Sequence, residues 1–486
     1  MNIAPLAAPI ILLLAVMPGW AADHYVRAGA TGNGGGSDWT NACTDFTGSC
    51  AVASLVRGEV YYVATGTYGS RTFNTAESGA LVITIKGATA SDHGTDMGWA
   101  DSYSVSVADG GSQAHWRTDA NTAISIESGY WVLDGGVGSG NVLANYGFNI
   151  QKPGNCNTQP TAGIGIGNSG RLSAVTVMRF SADACSQGTA GSGLEFNTAQ
   201  RFFGIGCGAC LNDNILIAHN YGKNWGVSVS MSNTRNSIFE HNRFEKHHYS
   251  GSNSGKEPYA IACNTGSAYG SAVGKCDNVT IRYSVIMDCM EPGMTGALAV
   301  LGANTSNVDG MNGWNIYGNL FSNCSPNTAT IGGANYGSVR NTKIYNNTFV
   351  NVRKIFSQCE RDCTLAANNV VENNLLFYSE SQVGQGQRGG AITHDYNAFF
   401  SAVDTPPTET NGQIASGNPF VNSAGGDYHL AAGTLAGLVL TSPFNIDIAG
   451  LIRGADGVWD RGAYEFAGAL PGANPPPARP KGVRLP

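Results

Sequence analysis

Charge is scarce in this chain: Asp, Glu, Lys and Arg together make up 13% of its 486 residues. No long stretch carries apolar residues at the 3.6-residue period of an amphipathic helix, so a helical bundle is excluded as the leading reading. The net charge of −7 leaves no overall cationic field to recruit nucleic acid or an anionic membrane, and neither is expected as a partner. The apolar run at residues 5–18 (PLAAPIILLLAVMP) is too short to cross a bilayer comfortably, so no membrane span is expected. Gly19-Trp20-Ala21-Ala22 follows it, and the pair reads as a secretory signal over residues 1–22. The first 22 residues hold no Lys or Arg, which leaves the N-terminal amine as the signal's positive charge. There is no G-x-S-x-G elbow. The loop Gly32-Asn33-Gly34-Gly35-Gly36 has no helix after it, so it is no nucleotide cradle.

Glycine and repetition are what the chain has in quantity. Sixty-six glycines with few helix-favouring charges point to turn-rich β structure. A phrase recurs from Asn214, Asn236, Asn278, Gly313, Asn341 and Asn368. Three residues on, it reads Ile217, Phe239, Ile281, Ile316, Ile344 and Val371. Six on, it reads Asn220, Asn242, Ser284, Asn319, Asn347 and Asn374. Eight on, Gly222, Phe244, Ile286, Phe321, Phe349 and Leu376 are mostly bulky and apolar. Starts spaced from 22 residues (214 to 236) to 42 residues (236 to 278) signal a solenoid, and a second apolar run in each repeat predicts three strands and three turns per coil.

All 12 cysteines lie beyond the signal, and several are close in sequence. In an exported chain they favour local disulfides, with Cys43/Cys50, Cys156/Cys185, Cys207/Cys210, Cys263/Cys276, Cys289/Cys324 and Cys359/Cys363 as one possible set. Cys207-Gly-Ala-Cys210 alone does not complete a zinc site.

The repeat resembles that of the right-handed parallel β-helix proteins, the fold of pectate lyases and many other secreted polysaccharide-active proteins. Its six-on column looks like their internal asparagine ladder. The tail Asp460-Arg461-Gly462-Ala463-Tyr464-Glu465 is similar to the D-x-G-A-Y-E close of many bacterial members, and YVRAGATGNGGGSDW to their opening. The resemblance covers most of the mature chain. It implies an all-β, right-handed parallel β-helix solenoid with an N-terminal cap. The expected layout is a signal at 1–22, cap and first strands at 23–125, β-helix with closing segment at 126–466, and a Pro-rich disordered tail at 467–486. Gly129 would open the stack proper. A secreted, extracellular or periplasmic monomer acting on an extracellular polysaccharide is expected.

Strand residues alternate faces. If the three-on column points in, the four-on column points out: Ala218, Glu240, Arg282, Tyr317, Tyr345 and Glu372. Tyrosine rings suit sugar faces, and an Arg fork suits a uronate carboxylate. The plainer reading is a solvated Glu240–Arg282 pair beside tyrosines that cover exposed sheet. Residues 219–257 hold four of nine histidines and five Lys/Arg against three acids. β-Elimination on a uronate needs a base for the proton beside the carboxyl group and a cation for the carboxylate. That assigns Lys256 as base, with His247 as alternative, Arg282 as neutraliser and Glu240 as the residue orienting it. Tyr317, Tyr345, Glu372, His248 and Arg243 would hold substrate. His219 and His241, both five-on, are read as stacking at the strand end. No metal site is assigned, and a possible Ca²⁺ is left open. Hydrolysis needs two carboxyl groups, for which Glu240 with Glu257 or Glu291 are candidates. The Asn-Thr-Asp, Asp-Asp and Gly-His-Gly set of polygalacturonase-type hydrolases is absent, and no Glu-x-Glu precedes Lys256 as in calcium-dependent lyases. A non-catalytic adhesin or glycan-binding protein is the reading from a different class.

Overall fold

The opening column bends the chain. Asn214, Asn236, Asn278, Gly313, Asn341 and Asn368 all have φ between 50° and 73°. This left-handed region favours Gly, and Asn tolerates it through local hydrogen bonding. Five residues later the chain bends again, at His219, His241, Tyr283, Gly318, Asn346 and Asn373. A third bend follows at Asn224, Lys246, Asp288, Asn323, Asn351 and Tyr378. Between bends there is room for one short strand, such as Thr280–Arg282 and then Val285–Met287.

The computed structural model describes residues 22–107, 112–117, 122–151, 162–167, 170–184, 201–206, 211–247, 259–264, 275–289, 297–301, 308–324, 329–334, 337–358, 366–382 and 392–468. Among these residues the strands form three long sheets of 16, 12 and 9 strands and one two-stranded hairpin. Sheet A contains Thr280–Arg282, sheet B Arg243–Glu245 and sheet C Val227–Met231. Pairing within all three is parallel, each strand lying beside its counterpart one coil away. The chain is an all-β parallel β-helix. The stack starts earlier than Gly129: Asp23–Val26, Val60–Val63 and Ile83–Gly87 are already parallel neighbours in sheet A. β-Branched and aromatic residues, such as Val60-Tyr61-Tyr62-Val63, carry the strand signal there.

The inward columns meet as the sequence predicts. Ile217, Phe239, Ile281, Ile316, Ile344 and Val371 are paired in register and 0% exposed. Each such side chain contributes roughly 2 kcal/mol of burial. At the corner between sheets A and B, the six-on amides form a buried ladder. Asn319 Nδ2 donates to Asn347 Oδ1 (3.0 Å) and to the Ile281 carbonyl (2.9 Å), while Asn319 Oδ1 accepts from the Ser284 backbone N–H (2.9 Å). Asn347 gives in the same way to Asn374, and Asn374 to Asn397. Asn397 then donates to the buried carboxylate of Glu409 from both its backbone N–H (2.9 Å) and its amide (2.7 Å).

Disulfides Cys43–Cys50, Cys263–Cys276 and Cys289–Cys324 are present. The other three suggested pairs, the expected signal up to residue 21 and the tail beyond residue 468 lie outside the described residues. Among the described residues, no helix is long and apolar enough to cross a membrane.

The closing segment folds back over the stack. The hairpin Phe420–Asn422 with Asp427–Leu430 packs on the outer face of sheet B, where Phe420 and Tyr428 meet Leu320, Val350 and Leu375. Leu440, Phe444 and Ile448 pack on the outer face of sheet A. The D-x-G-A-Y-E stretch ties both down. Buried Arg453 donates to the carbonyls of Asp460, Gly462 and Ala463, and Asp460 accepts from Thr434 and Phe466 N–H groups. Gly462 has φ +98, and a Cβ there would lie 2.8 Å from both Leu375 Cβ and Thr348 Oγ1, so the close approach requires glycine.

Candidate functional site

The outward column forms one file across sheet A, but it is not an open sugar platform. Arg282 Nε donates to Glu240 Oε2 (2.7 Å) and Arg282 Nη1 to the Tyr317 hydroxyl (3.0 Å). A ligand carboxylate would have to displace Glu240 to reach this guanidinium. Tyr317 and Tyr345 are 1% and 7% exposed, each edge-on to Phe444. Their expected role as subsites is therefore corrected: alternation turned them outward, and the closing segment buried them. Glu372 lies next to Tyr345 in register, its pKa raised by burial and then by Asp395 and Glu409. His247 is corrected too. It is fully buried, with Nε2 2.9 Å from Ser228 Oγ, and cannot meet a polymer from outside. Lys256, His248, Glu257 and Glu291 lie outside the described residues.

The site that the fold builds lies one column over. A cleft of about 940 Å³ opens on the outer face of sheet B. Arg243, Val285 and Leu320 form its floor, and His219, His241 and Tyr283 its edge at the corner with sheet A. One wall is the loop from Gly138 to Tyr146, the other the hairpin carrying Asp427, Tyr428 and His429. Of the residues proposed from sequence, Arg243 lines this cleft. His219 and His241 stack as expected, their rings parallel with centroids 4.7 Å apart, and they also face the cleft. The tyrosines and the Asp427–His429 pair were missed. Their lining role depends on where a remote loop and the closing segment land, which no local spacing encodes.

The left-handed bend explains how the imidazoles come to lie in a file. Every fifth residue sits at the corner, so His219, His241 and Tyr283 project from successive coils. Burial lowers the pKa of both histidines; Arg179 adds to the effect at His219, and His219 itself adds to it at His241. Both are therefore neutral near pH 7. Burial, followed by Tyr317, pushes the Tyr283 phenol up to about 12 and keeps it protonated. Arg243 is held by Glu245, Nε to Oε2 at 3.1 Å, and Glu245 also accepts from the Tyr221 hydroxyl. His429 Nδ1 lies 2.6 Å from Asp427 Oδ1, and its ring packs on Tyr464 at 4.4 Å. Among the described residues, no three His, Cys, Asp or Glu side chains gather as a metal site.

The depressed histidine pKa values fix a pH effect. A lowered folded-state pKa stabilises the fold above the unfolded value of 6.5, and that contribution is lost as pH falls through the folded value. Chemical denaturation from neutral pH to about pH 5 is expected to show less acid loss in His219→Gln/His241→Gln than in the parent. Equal slopes would show that the pair does not resist protonation.

No protein-family model matches the chain, and no curated protein does either. Solved structures similar to it include a GH136 lacto-N-biosidase from Eubacterium ramulus (10% identity, TM-score 0.44, covering 81% of this chain and 68% of that one). Another is the PL6 family polysaccharide lyase Pedsa3628 from Pseudopedobacter saltans (12%, TM-score 0.33, 81% and 95%). A third is the Streptococcus pneumoniae surface protein and adhesin PfbA (14%, TM-score 0.28, 74% and 91%). At these values the likeness carries nothing about the reaction, which has to be argued from the cleft itself.

Proposed function

We propose that the chain is a secreted protein that binds an acidic polysaccharide in this cleft and cleaves it by β-elimination. The observation that carries the reading is the corner of the cleft, where the cation Arg243 stands beside a neutral imidazole, His241. Arg243 is paired with Glu245 through Nε and Nη2, and it offers Nη1 to the uronate carboxylate, which acidifies the proton on C5. His241 takes that proton. The C5–H electrons form the C4–C5 double bond, the C4–O4 bond breaks, and the imidazolium of His241 returns the proton to the departing oxygen. The three disulfides suit an oxidising compartment. Hydrolysis is less favoured, because it needs two carboxyl groups facing the sugar and Asp427 is the one carboxylate among the described lining residues.

The test is a panel of uronate polymers followed by ultraviolet absorbance of the unsaturated uronate. His241→Gln is expected to lower turnover by about 10²–10⁴, and Arg243→Met to weaken binding as well. Reducing ends released without that absorbance would replace elimination with hydrolysis. Binding with unchanged polymer length would make the chain a glycan-binding protein.

A further inference from the structure

The walls of the cleft say how a polymer must lie in it. The Gly138–Tyr146 loop closes on itself through a bridge between its ends, and the Tyr146 ring sits 6.0 Å from that of Tyr221, in strand Tyr221–Lys223. On the other side, the Tyr428 hydroxyl lies 3.1 Å from Ser322 Oγ, in strand Leu320–Ser322. In sheet B these two strands are separated by Arg243–Glu245 and Val285–Met287. Wall to wall along the solenoid axis is thus three steps between strands, about 14 Å, and the walls themselves fill part of it. In the other direction the lining runs from His241 and Tyr283, at one end of the two open strands, to Met287 at the far end.

We infer that the ligand crosses the coils along the strands Arg243–Glu245 and Val285–Met287, and that Tyr146 and Tyr428 limit it to a short stretch of acidic sugar chain. This rests on the reading of the cleft as a sugar site and adds its direction and reach. A strand of three residues is about 10 Å long, and with the bend at each end it offers room for about three pyranose units. Tyr146 and Tyr428 are 2% and 8% exposed, so they fix the two walls in place rather than stack on sugar rings. Arg243 and the imidazole edge meet the carboxylates. A groove along the axis would instead add contacts with each further coil.

The experiment is calorimetric binding of oligouronates of graded length, prepared from pectate and from alginate, to the full chain. Affinity is expected to climb to about three units and then to change less than about twofold. A continued climb through about six units would overturn the crosswise path. A variant lacking residues 139–142, exposed in the first wall, is expected to move the plateau to longer oligomers once melting shows it folded. An unmoved plateau in a folded variant would refute the role of that wall. The length series on the unmodified chain decides the direction whether or not the variant folds. Binding with a plateau but without turnover supports this inference and removes the catalytic reading. Failure of every oligouronate to bind overturns both.

Discussion

Asn319→Ala lowers stability by about 3–5 kcal/mol, although it touches no surface and no part of the cleft. The rung is fully buried. Its loss strips the Ser284 N–H of its side-chain acceptor and the Ile281 carbonyl of its side-chain donor. Each buried group left unpaired costs about 1–3 kcal/mol, and the small cavity adds to that. Asn319→Asp fares no better, because a carboxylate cannot donate to Asn347 Oδ1 or to the Ile281 carbonyl. The control is Asn278, an exposed residue in the opening column whose task is backbone shape. Asn278→Gly is expected to stay within about 0.5 kcal/mol of the parent. Long repeat arrays depart from two-state unfolding, so amide exchange around Ile281–Ser284 is the sharper measurement. A loss below about 1 kcal/mol would show that the ladder contributes little beyond the apolar files.

The second large effect comes from the closing segment. Arg453→Met removes a buried guanidinium that reaches three carbonyls and the Glu465 carboxylate, so that carboxylate is left buried without its cation. Removing one partner of a buried pair costs about 3–5 kcal/mol. Here the cost falls on one segment, because Arg453 anchors residues 453–465 to each other rather than coil to coil. Limited proteolysis is expected to cut the variant between Asn418 and Glu465 while the coils resist. The cleft loses Tyr428 and His429 with that segment, so oligosaccharide affinity falls by at least about tenfold. Unchanged proteolysis would mean that the apolar contacts of Phe420 and Phe444 hold the segment alone.

The solenoid was legible because its causes are local and repeated. A bend that needs positive φ selects Asn or Gly, an interior file selects Ile or Phe, and a buried corner selects an amide that both gives and accepts. Ile281, Asn319 and Asn341 each reveal their place through their equivalents in neighbouring coils. The candidate site was legible only in part. Alternation correctly placed Tyr317 and Tyr345 outside sheet A but could not say that Phe444, some hundred residues away, would cover them. The pairing of Arg282 with Glu240 is the plainer of the two readings the sequence allowed. His247, assigned as the alternative base, proved to be interior, with Ser228 of the strand Val227–Met231 as a partner. His219 and His241 were placed correctly as a stack, yet their edge on the cleft follows from the remote wall at Tyr428.

The amide ladder has a direction. Each Asn-to-Asn step hands a proton toward the C-terminal end, with Ser284 interrupting the row, so from Asn319 onward the peptide-like dipoles add, much as they do in a helix, and leave that end electropositive. Such a row cannot finish on another amide without stranding a donor. It finishes on Glu409, a group that only accepts and carries the opposite charge. Lengthening this protein by one coil after Asn397 would therefore take more than a copied repeat: the new last amide would need an anion of its own, and the old one would have to be retired.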